Sequence, residues 1–199
     1  MTETRLSPYA TPLGQTLGRH GEVRPDPRRD CFERDGHRIL HSMPFRRLRH
    51  KTQVFYSPKN DHICTRIEHA LHVGSVSQTL TKELGLNSPL AYSIALGHDL
   101  GHPPFGHTGE SVLNTIASRE GVHSFCHEAQ SLRVVDYFRD HVYPQGLNLT
   151  HEVRDGIVCH CGEVTERVVK PDRSKDMSGV NGDASTHVRM LSKRSRSLI

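Results

Sequence analysis

The chain has 199 residues, enough for one domain with a sizeable core, but only 34% of them are hydrophobic and none is Trp. The formal charge of +4 permits an anionic ligand without requiring one. No apolar run reaches membrane-spanning length and no secretory signal is evident, so we expect a cytoplasmic protein with reduced thiols. Sixteen His residues direct attention to a His-rich site.

The first part of the chain has little periodic structure. Residues 1–29 are rich in Pro, Gly, Arg and Thr, which predicts an N-terminal arm of loops. A helical pattern follows from residue 30 to about residue 49, interrupted by Pro44. Residues 52–56 are mostly β-branched or aromatic and precede a turn sequence, Ser57 to Asp61. We therefore expect a small β-hairpin before the main helices.

Apolar residues at helical spacing dominate the middle of the chain. The longest such pattern covers Cys64 to Leu84, and Gly85 ends it. Its predicted buried stripe consists of Ile67, Ala70, Leu71, Gly74, Leu80 and Leu84. Four further helices are predicted, starting at Ser88-Pro89, Thr108, Glu128 and Thr150.

The sequence thus predicts an all-α domain of about five helices over residues 30–169. The helical period is lost after Val169, and residues 170–199 are polar and basic. Such a composition favours disorder, so this segment is expected to be a disordered, aberrant tail.

The densest chemical signal is the run from Gly97 to His107, Gly-His-Asp-Leu-Gly-His-Pro-Pro-Phe-Gly-His. Gly lets backbone approach a ligand closely and the two Pro residues fix the loop, whereas such a stretch is poor material for a core. Its position between two strongly apolar helices favours a functional site. Together with His69 upstream, His98 and Asp99 offer the imidazole and carboxylate ligands that a divalent ion prefers.

Several other His and Cys residues are not assigned to a functional site. The run Cys159-His160-Cys161 lacks the second ligand pair of a structural zinc site, so free thiols are favoured. His127 and His160 are interpreted as helix-surface residues rather than ligands.

The order Arg66-x-x-His69 followed by His98-Asp99 resembles the HD superfamily of metal-dependent phosphohydrolases. Longer stretches are similar to its deoxyguanosine triphosphate triphosphohydrolase-like branch, and the resemblance covers about residues 28–171. These stretches are Phe45 to Leu48, Lys51 to Phe55, Thr65 to His69, Gly97 to Glu110, Ala129 to Val135 and Glu152 to Ile157. The implied fold is an HD-domain helical bundle.

The resemblance implies a metal centre and a catalytic pair. His69, His98 and Asp99 match three ligands of a divalent ion, with Mg²⁺ or Mn²⁺ expected. His107 and Glu110 match the catalytic pair. The implied reaction is hydrolysis of a deoxynucleoside triphosphate, dGTP first, to deoxynucleoside and triphosphate.

Three further residues match substrate contacts. Arg66 matches a residue that contacts the phosphates, and His102 matches a His on the phosphate side of the active site. Gln53 matches a Gln that reads the sugar 3′-hydroxyl. The expected ligands are therefore deoxynucleoside triphosphates, and nothing indicates nucleic acid or a membrane.

The family pattern also contains a later Asp ligand, and the resemblance fades after Pro171 before such a residue is reached. We therefore expect a chain truncated relative to the family, with impaired hydrolysis; a full-length protein would form a homo-oligomer. Two alternatives stay open at this point. One is an inactive fragment that binds nucleotide or associates with full-length subunits, and the other is a different HD phosphohydrolase acting on nucleotides.

Overall fold

The computed structural model describes residues 6–12, 15–51, 64–121, 125–139 and 141–160. These ranges contain seven α-helices, one short 3-10 helix and no β-strand, which confirms the all-α prediction for the described part. The small β-hairpin expected over residues 52–61 falls outside these ranges and receives no support. Gln53 and the tail over residues 170–199 also lie outside them.

The described ranges contain the following helices. In chain order they are α1 (Cys31–Leu40), α2 (Met43–Arg47), the 3-10 helix (Leu48–His50), α3 (Arg66–Glu83), α4 (Ser88–Gly97), α5 (Gly106–Arg119), α6 (His127–Tyr137) and α7 (His151–Cys159). None of them is long and apolar enough to cross a membrane. The predicted first helix is split into α1 and α2 because the chain turns at Ser42, which caps α2 ahead of Pro44.

Two helices begin at capping boxes that the sequence encodes locally. At the start of α1, Asp30 accepts a hydrogen bond from the Glu33 N–H at 2.7 Å, and the Glu33 carboxylate accepts one from the Asp30 N–H at 3.0 Å. At the start of α3, the Glu68 carboxylate accepts hydrogen bonds from the N–H and the hydroxyl of Thr65. The second box fixes the start of the helix that carries His69.

The N-cap of α4 lies one residue earlier than predicted. Asn87, not Ser88, is the N-cap, and its side chain accepts a hydrogen bond from the Leu90 N–H at 3.0 Å. The Ser88 hydroxyl instead lies 2.8 Å from the Thr81 hydroxyl of α3. The contact ties α4 to α3, and a sequence pattern cannot show it because the partner lies on another helix.

Helix α4 lies at the centre of the bundle and packs against α1, α3 and α7. Two glycines allow α4 and α7 to approach closely. A Cβ at Gly97 would lie 2.5 Å from the Ile157 Cδ1, and a Cβ at Gly156 would lie 2.2 Å from the Ile94 Cδ1. On each helix the backbone of a glycine therefore packs against an Ile side chain of the other helix. This close packing brings the C-terminal ends of α4 and α7 together.

The core of the described part is built from large apolar side chains on the helices and the loop before α7. The largest fully buried ones are Phe32, Phe45, Ile39, Leu48, Leu90, Leu96, Leu147, Leu149, Ile157, Val135 and Val153.

The predicted stripe of α3 is only half correct. Ala70 is buried, but Leu71, Leu80 and Leu84 are 40%, 57% and 64% exposed. The face of α3 that meets α4 is lined by small residues such as Gly74, whose missing Cβ makes room for the Tyr92 ring. The larger residues of the pattern therefore point away from the core.

The arm predicted over residues 1–29 consists of loops in its described part, and these loops are tied to the bundle. Arg19 donates hydrogen bonds to the Asp35 carboxylate, the Asn148 carbonyl and the Cys31 carbonyl at 2.5, 2.7 and 2.9 Å. The Glu152 carboxylate accepts a hydrogen bond from the Leu17 N–H at 2.6 Å. These bonds join the arm to α1 and to the start of α7.

A buried ion pair joins α6 to α7. Arg154 donates from Nε and Nη2 to the two carboxylate oxygens of Asp136 at 2.9 and 2.7 Å, and both side chains are at most 6% exposed. Removing the carboxylate leaves a buried guanidinium without its partner. We therefore expect Asp136→Ala to lower the free energy of unfolding by about 3–5 kcal/mol in urea denaturation.

The matched control for that variant is Asp26→Ala, which removes the carboxylate from the pair with Arg29, a side chain that is 41% exposed. Exposed pairs contribute little, so this change should leave the urea midpoint almost unmoved. Equal midpoints for the two variants would contradict the stabilising role of the Arg154 pair.

Candidate metal centre

Three of the predicted site residues come together where α3 passes the end of α4. The ligand atoms of His69, His98 and Asp99 all lie within 4.8 Å of one another. The imidazole rings of His69 and His98 have centroids 5.5 Å apart, and the His98 Nε2 lies 3.5 Å from the Asp99 Oδ1. Two imidazoles and a carboxylate form a donor set that suits a divalent metal ion.

A backbone contact orients His98, a candidate ligand at the C-terminal end of α4. The Nδ1 of His98 lies 2.7 Å from the Ala95 carbonyl oxygen, so this nitrogen carries the hydrogen and donates it. The lone pair of neutral His98 is therefore on Nε2, the nitrogen near Asp99. A hydrogen bond of this kind from the far ring nitrogen is the usual support of a metal-binding His.

Arg66 holds the carboxylate of the centre. Its Nη1 donates to the Asp99 Oδ2 at 2.7 Å, and the two side chains are 5% and 6% exposed. Burial by itself raises the pKa of Asp99, but the charges of His98 and Arg66 outweigh it and the pKa lies below its ordinary value. Asp99 is therefore anionic at neutral pH. The structure places the guanidinium predicted to bind phosphate against a carboxylate predicted to bind the metal ion.

The loop after Asp99 rests directly on α6. The Gly101 N–H donates to the Ser131 hydroxyl at 2.9 Å, and that hydroxyl donates to the His98 carbonyl at 2.7 Å. A Cβ at Gly101 would lie 2.1 Å from the backbone nitrogen of Ser131. Only a glycine fits here without moving α6 away from the loop.

We expect Gly101→Ala to lower the free energy of unfolding by about 1–3 kcal/mol or more, because the added methyl group meets backbone that cannot rotate away. Urea denaturation checks this. The matched control is Gly21→Ala, whose Cβ would meet only the flexible side chain of Asn148 at 3.3 Å. Similar urea midpoints for Gly101→Ala and Gly21→Ala would show that α6 can shift to accommodate the added methyl group without a loss of stability.

A second cluster surrounds the start of α5. Phe105 and Gly106 both have left-handed backbone, with φ of 65° and 61°, and this sharp entry places His107 and Glu110 on the first turn. The Glu110 Oε2 lies 3.4 Å from the His107 Nδ1, whose side chain is 80% exposed. The same carboxylate contacts His127 more closely, accepting from its backbone N–H at 3.0 Å and from its Nδ1 at 3.1 Å.

His102 connects this cluster to the candidate metal ligands, because its backbone N–H donates to the Asp99 carbonyl at 3.1 Å. It is buried, its ring centroid lies 4.7 Å from that of His127, and the ligand atoms of His102, His107 and His127 lie within 4.8 Å of one another. Lys51 donates from Nζ to the His102 carbonyl at 2.7 Å. The structure thus brings every predicted site residue within the described ranges to one side of the bundle.

The surface interpretation of His127 was wrong: the residue is 5% exposed, and its ligand atoms enter three possible metal-binding groups. Buried residues on α6 include Ser131 and Val135, four and eight positions later. Helical spacing therefore puts His127 on the buried face, and this signal could have identified it.

His160, interpreted in the same way, is only partly exposed. It follows α7, and its ring centroid lies 5.1 Å from that of His98 and 5.4 Å from that of His127. Its neighbour Cys159 is buried and forms no disulfide, as expected, and its Sγ lies 3.5 Å from the Asp155 Oδ1, whereas Cys161 lies outside the described residues.

Burial keeps several of these imidazoles neutral. It lowers the pKa of His69 and of His160, and burial together with the charge of Arg66 lowers the pKa of His102 to about 4. A neutral imidazole offers a lone pair, which ligation and proton acceptance both require.

The lowered pKa of His102 predicts an acid-sensitive fold. Its ordinary pKa is 6.5, so between pH 6.5 and about 4 the unfolded chain binds the proton more tightly than the folded chain. The free energy of unfolding should therefore fall as pH falls through this window, and His102 should contribute no slope above it. In urea titrations, His102→Gln should flatten the slope between pH 7 and 4.5. Parallel curves for the two proteins would contradict this assignment.

Comparison with known proteins identifies the fold around these ligands. The family model of the HD domain matches residues 66–174, more than half of the chain. The chain belongs to the HD-domain family. HD domains bind divalent metal ions, and the donor set of His69, His98 and Asp99 fits such an ion.

Several curated relatives of this chain are named deoxyguanosinetriphosphate triphosphohydrolase-like proteins. The chain is 48% identical over 155 residues to a deoxyguanosinetriphosphate triphosphohydrolase-like protein of Desulfatibacillum aliphaticivorans, covering 78% of the chain and 42% of the relative. It is 49% identical over 155 residues to the protein of that name in Caldanaerobacter subterraneus, covering 78% and 44%. It is 44% identical over 176 residues to that of Thiobacillus denitrificans, covering 84% and 46%. The chain spans less than half the length of these relatives.

Proposed function

We propose that the chain hydrolyses deoxynucleoside triphosphates, with dGTP as the first substrate, to a deoxynucleoside and triphosphate in the presence of Mn²⁺ or Mg²⁺. The observation that carries the proposal is the adjacency of two clusters. A triad suited to a metal ion lies beside a group of three His residues whose ligand atoms lie within 4.8 Å of one another. The names of the relatives supply the substrate class.

The first requirement of the reaction is to hold the phosphates. His69, His98 and Asp99 would bind the ion, which when bound neutralises phosphate charge and activates a water. Arg66 holds Asp99 through one Nη atom, and a planar guanidinium is the kind of group that binds phosphate oxygens. His102 borders the same space, and Gln53 is assigned to the sugar 3′-hydroxyl on the resemblance alone.

The second requirement is a proton for the leaving group, the 5′-oxygen of the nucleoside. His107 is the exposed imidazole of the cluster and can reach a substrate in solvent, where it would donate this proton. Glu110 lies 3.4 Å from the His107 Nδ1 and would orient the ring and balance its charge. His127 would hold Glu110 in place through the two contacts it makes with the carboxylate.

Anion-exchange separation of the products tests this function. The chain is incubated with dGTP and Mn²⁺, and we expect deoxyguanosine and triphosphate. His107→Ala should remove most of the triphosphate, whereas His72→Ala, an exposed His on α3, should not change it. Release of pyrophosphate or of single phosphates would indicate a different HD phosphohydrolase. Binding of dGTP without turnover would indicate a nucleotide-binding protein.

A further inference from the structure

A single hydroxyl group on α6 bridges the two ends of the turn that carries Asp99. Ser131 is fully buried, and its Oγ accepts a hydrogen bond from the Gly101 N–H at 2.9 Å and donates one to the His98 carbonyl at 2.7 Å. A Ser in the middle of a helix commonly bonds within its own helix or faces solvent. The Ser131 hydroxyl instead satisfies two backbone groups that lie on either side of Asp99.

These two backbone groups are the pair that would otherwise close the turn directly. A carbonyl and the N–H three residues later bond to each other in an ordinary β-turn or 3-10 turn. The next turn of the loop closes in this way, because the His102 N–H donates to the Asp99 carbonyl at 3.1 Å. The turn from His98 to Gly101 is held open by the Ser131 hydroxyl. A side chain inserted into such a ladder bends the chain at that point.

The bend determines where the carboxylate of Asp99 lies. Its Oδ1 lies 3.5 Å from the His98 Nε2, and its Oδ2 accepts a hydrogen bond from Arg66 at 2.7 Å. Both contacts depend on the direction in which the chain leaves α4. The backbone of Gly101 lies directly against α6, since a Cβ there would lie 2.1 Å from the Ser131 nitrogen. The helix that supplies the hydroxyl therefore also supports the loop that the hydroxyl bends.

We propose that Ser131 is a positioning residue for the metal centre, which fixes the Asp99 carboxylate where a divalent ion needs it. This inference rests on the proposed function in one respect, because it takes the ion to be bound by His69, His98 and Asp99. Ser131 acts on Asp99 through the backbone and contacts neither the ion nor the substrate. Groups that support metal ligands from behind typically contribute about 10- to 100-fold in metal affinity.

The proposed catalytic pair is held by a different residue of the same helix. His127, one turn before Ser131, donates to the Glu110 carboxylate from its backbone N–H at 3.0 Å and from its Nδ1 at 3.1 Å. Helix α6 thus fixes Asp99 and Glu110 through separate contacts. Removing the Ser131 hydroxyl should loosen the first of them and leave the second in place.

Titration of the whole chain with Mn²⁺ in the absence of substrate tests this role. Free Mn²⁺ is followed by its electron spin resonance signal, and Ser131→Ala is expected to raise the Mn²⁺ dissociation constant about 10- to 100-fold. The matched control is Ser93→Ala. It removes an equally buried hydroxyl from α4, one that donates to the Phe32 carbonyl at 2.7 Å. The control should bind Mn²⁺ as the wild type does.

Steady-state kinetics distinguish a positioning role from a direct part in the reaction. Saturating Mn²⁺ compensates for a weakened site, whereas it cannot replace a lost catalytic group. Ser131→Ala should therefore need about 10- to 100-fold more Mn²⁺ for half-maximal triphosphate release, with a kcat close to that of the wild type. A kcat that stays low at saturating Mn²⁺ would contradict the separation of Asp99 from Glu110.

A folded Ser131→Ala chain with the wild-type Mn²⁺ dissociation constant would overturn the positioning role. An equal loss of affinity in Ser93→Ala would also overturn it, because any buried hydroxyl would then have the same effect. If circular dichroism shows that Ser131→Ala does not fold, Ser131→Cys fills the space with a thiol that is only a weak donor and acceptor. The same loss of affinity is expected for this variant, and wild-type affinity would overturn the role.

The two proposals fail separately because Mn²⁺ binding is measured without substrate. If Ser131→Ala loses affinity but the wild type releases no triphosphate, the positioning role holds and the proposed function is wrong. If the wild type releases triphosphate and Ser131→Ala keeps its affinity, the function holds and the positioning role is wrong. A wild-type chain that binds no Mn²⁺ would overturn the positioning role together with the metal centre.

Discussion

Replacing Asp99 by Asn is expected to remove bound Mn²⁺ and to lower triphosphate release by about a thousandfold or more. A bound ion contributes several kcal/mol to stabilising transition-state charge, and each 1.36 kcal/mol corresponds to about a tenfold change in rate. The amide keeps the shape of the side chain but lacks the charge that balances the ion and Arg66. Elemental analysis and product chromatography on the same preparation measure both effects.

The control for Asp99→Asn is Glu120→Gln, which changes an exposed carboxylate beyond the end of α5 and should alter neither readout. Because Arg66 loses a buried partner, the free energy of unfolding must be measured alongside. A folded Asp99→Asn protein with its full metal content would show that Asp99 is not a ligand.

Replacing Glu110 by Gln is expected to lower kcat by about 10²- to 10⁴-fold, the range typical of lost acid–base catalysis, with metal content unchanged at saturating Mn²⁺. Burial raises the pKa of Glu110, but hydrogen bonds from His127 and His107 outweigh it and the pKa lies below its ordinary value. Glu110 is therefore ionised at neutral pH. Gln keeps the contacts' geometry but cannot balance a proton on His107.

Two further variants provide a control for Glu110→Gln and test whether Glu110 acts through His107 or through His127. Glu83→Gln, an exposed carboxylate at the end of α3, should have wild-type kcat. The double variant Glu110→Gln with His107→Ala should be about as slow as the slower single variant, because the losses of rate at residues that act as a unit are not additive. Additive losses would mean that Glu110 acts through His127, the ring that it contacts more closely.

Local signals made much of the metal triad predictable. The Gly-Pro loop after Asp99 marked the site, and His69 on α3 and His98 at the end of α4 belong to helical patterns that the apolar spacing predicted. These features depend on residues that are neighbours in sequence, so a pattern along the chain carries them. Their convergence within 4.8 Å depends on how α3 crosses α4.

Features that arise from contacts between distant helices were not predictable. The leucines of α3 looked like a core stripe, yet Leu80 and Leu84 face outward because α3 meets α4 through Ala70 and Gly74. His127 could have been placed on the buried face of α6 from its spacing to Ser131 and Val135, but its contact with Glu110, 17 positions earlier, joins two different helices. Such contacts are identified only when packing is known.

The hydrogen bonds that join the N-terminal arm to the bundle affect how the chain folds during synthesis. Arg19 bonds to Asn148 across 129 positions, Leu17 bonds to Glu152 across 135, and the His151 N–H donates to the Gly18 carbonyl at 2.9 Å. During synthesis the arm leaves the ribosome before α7, the last described helix, and cannot form these bonds until α7 follows. Contacts so far apart in sequence slow folding. The arm can therefore close over the bundle only once the start of α7, with His151 and Glu152, is available.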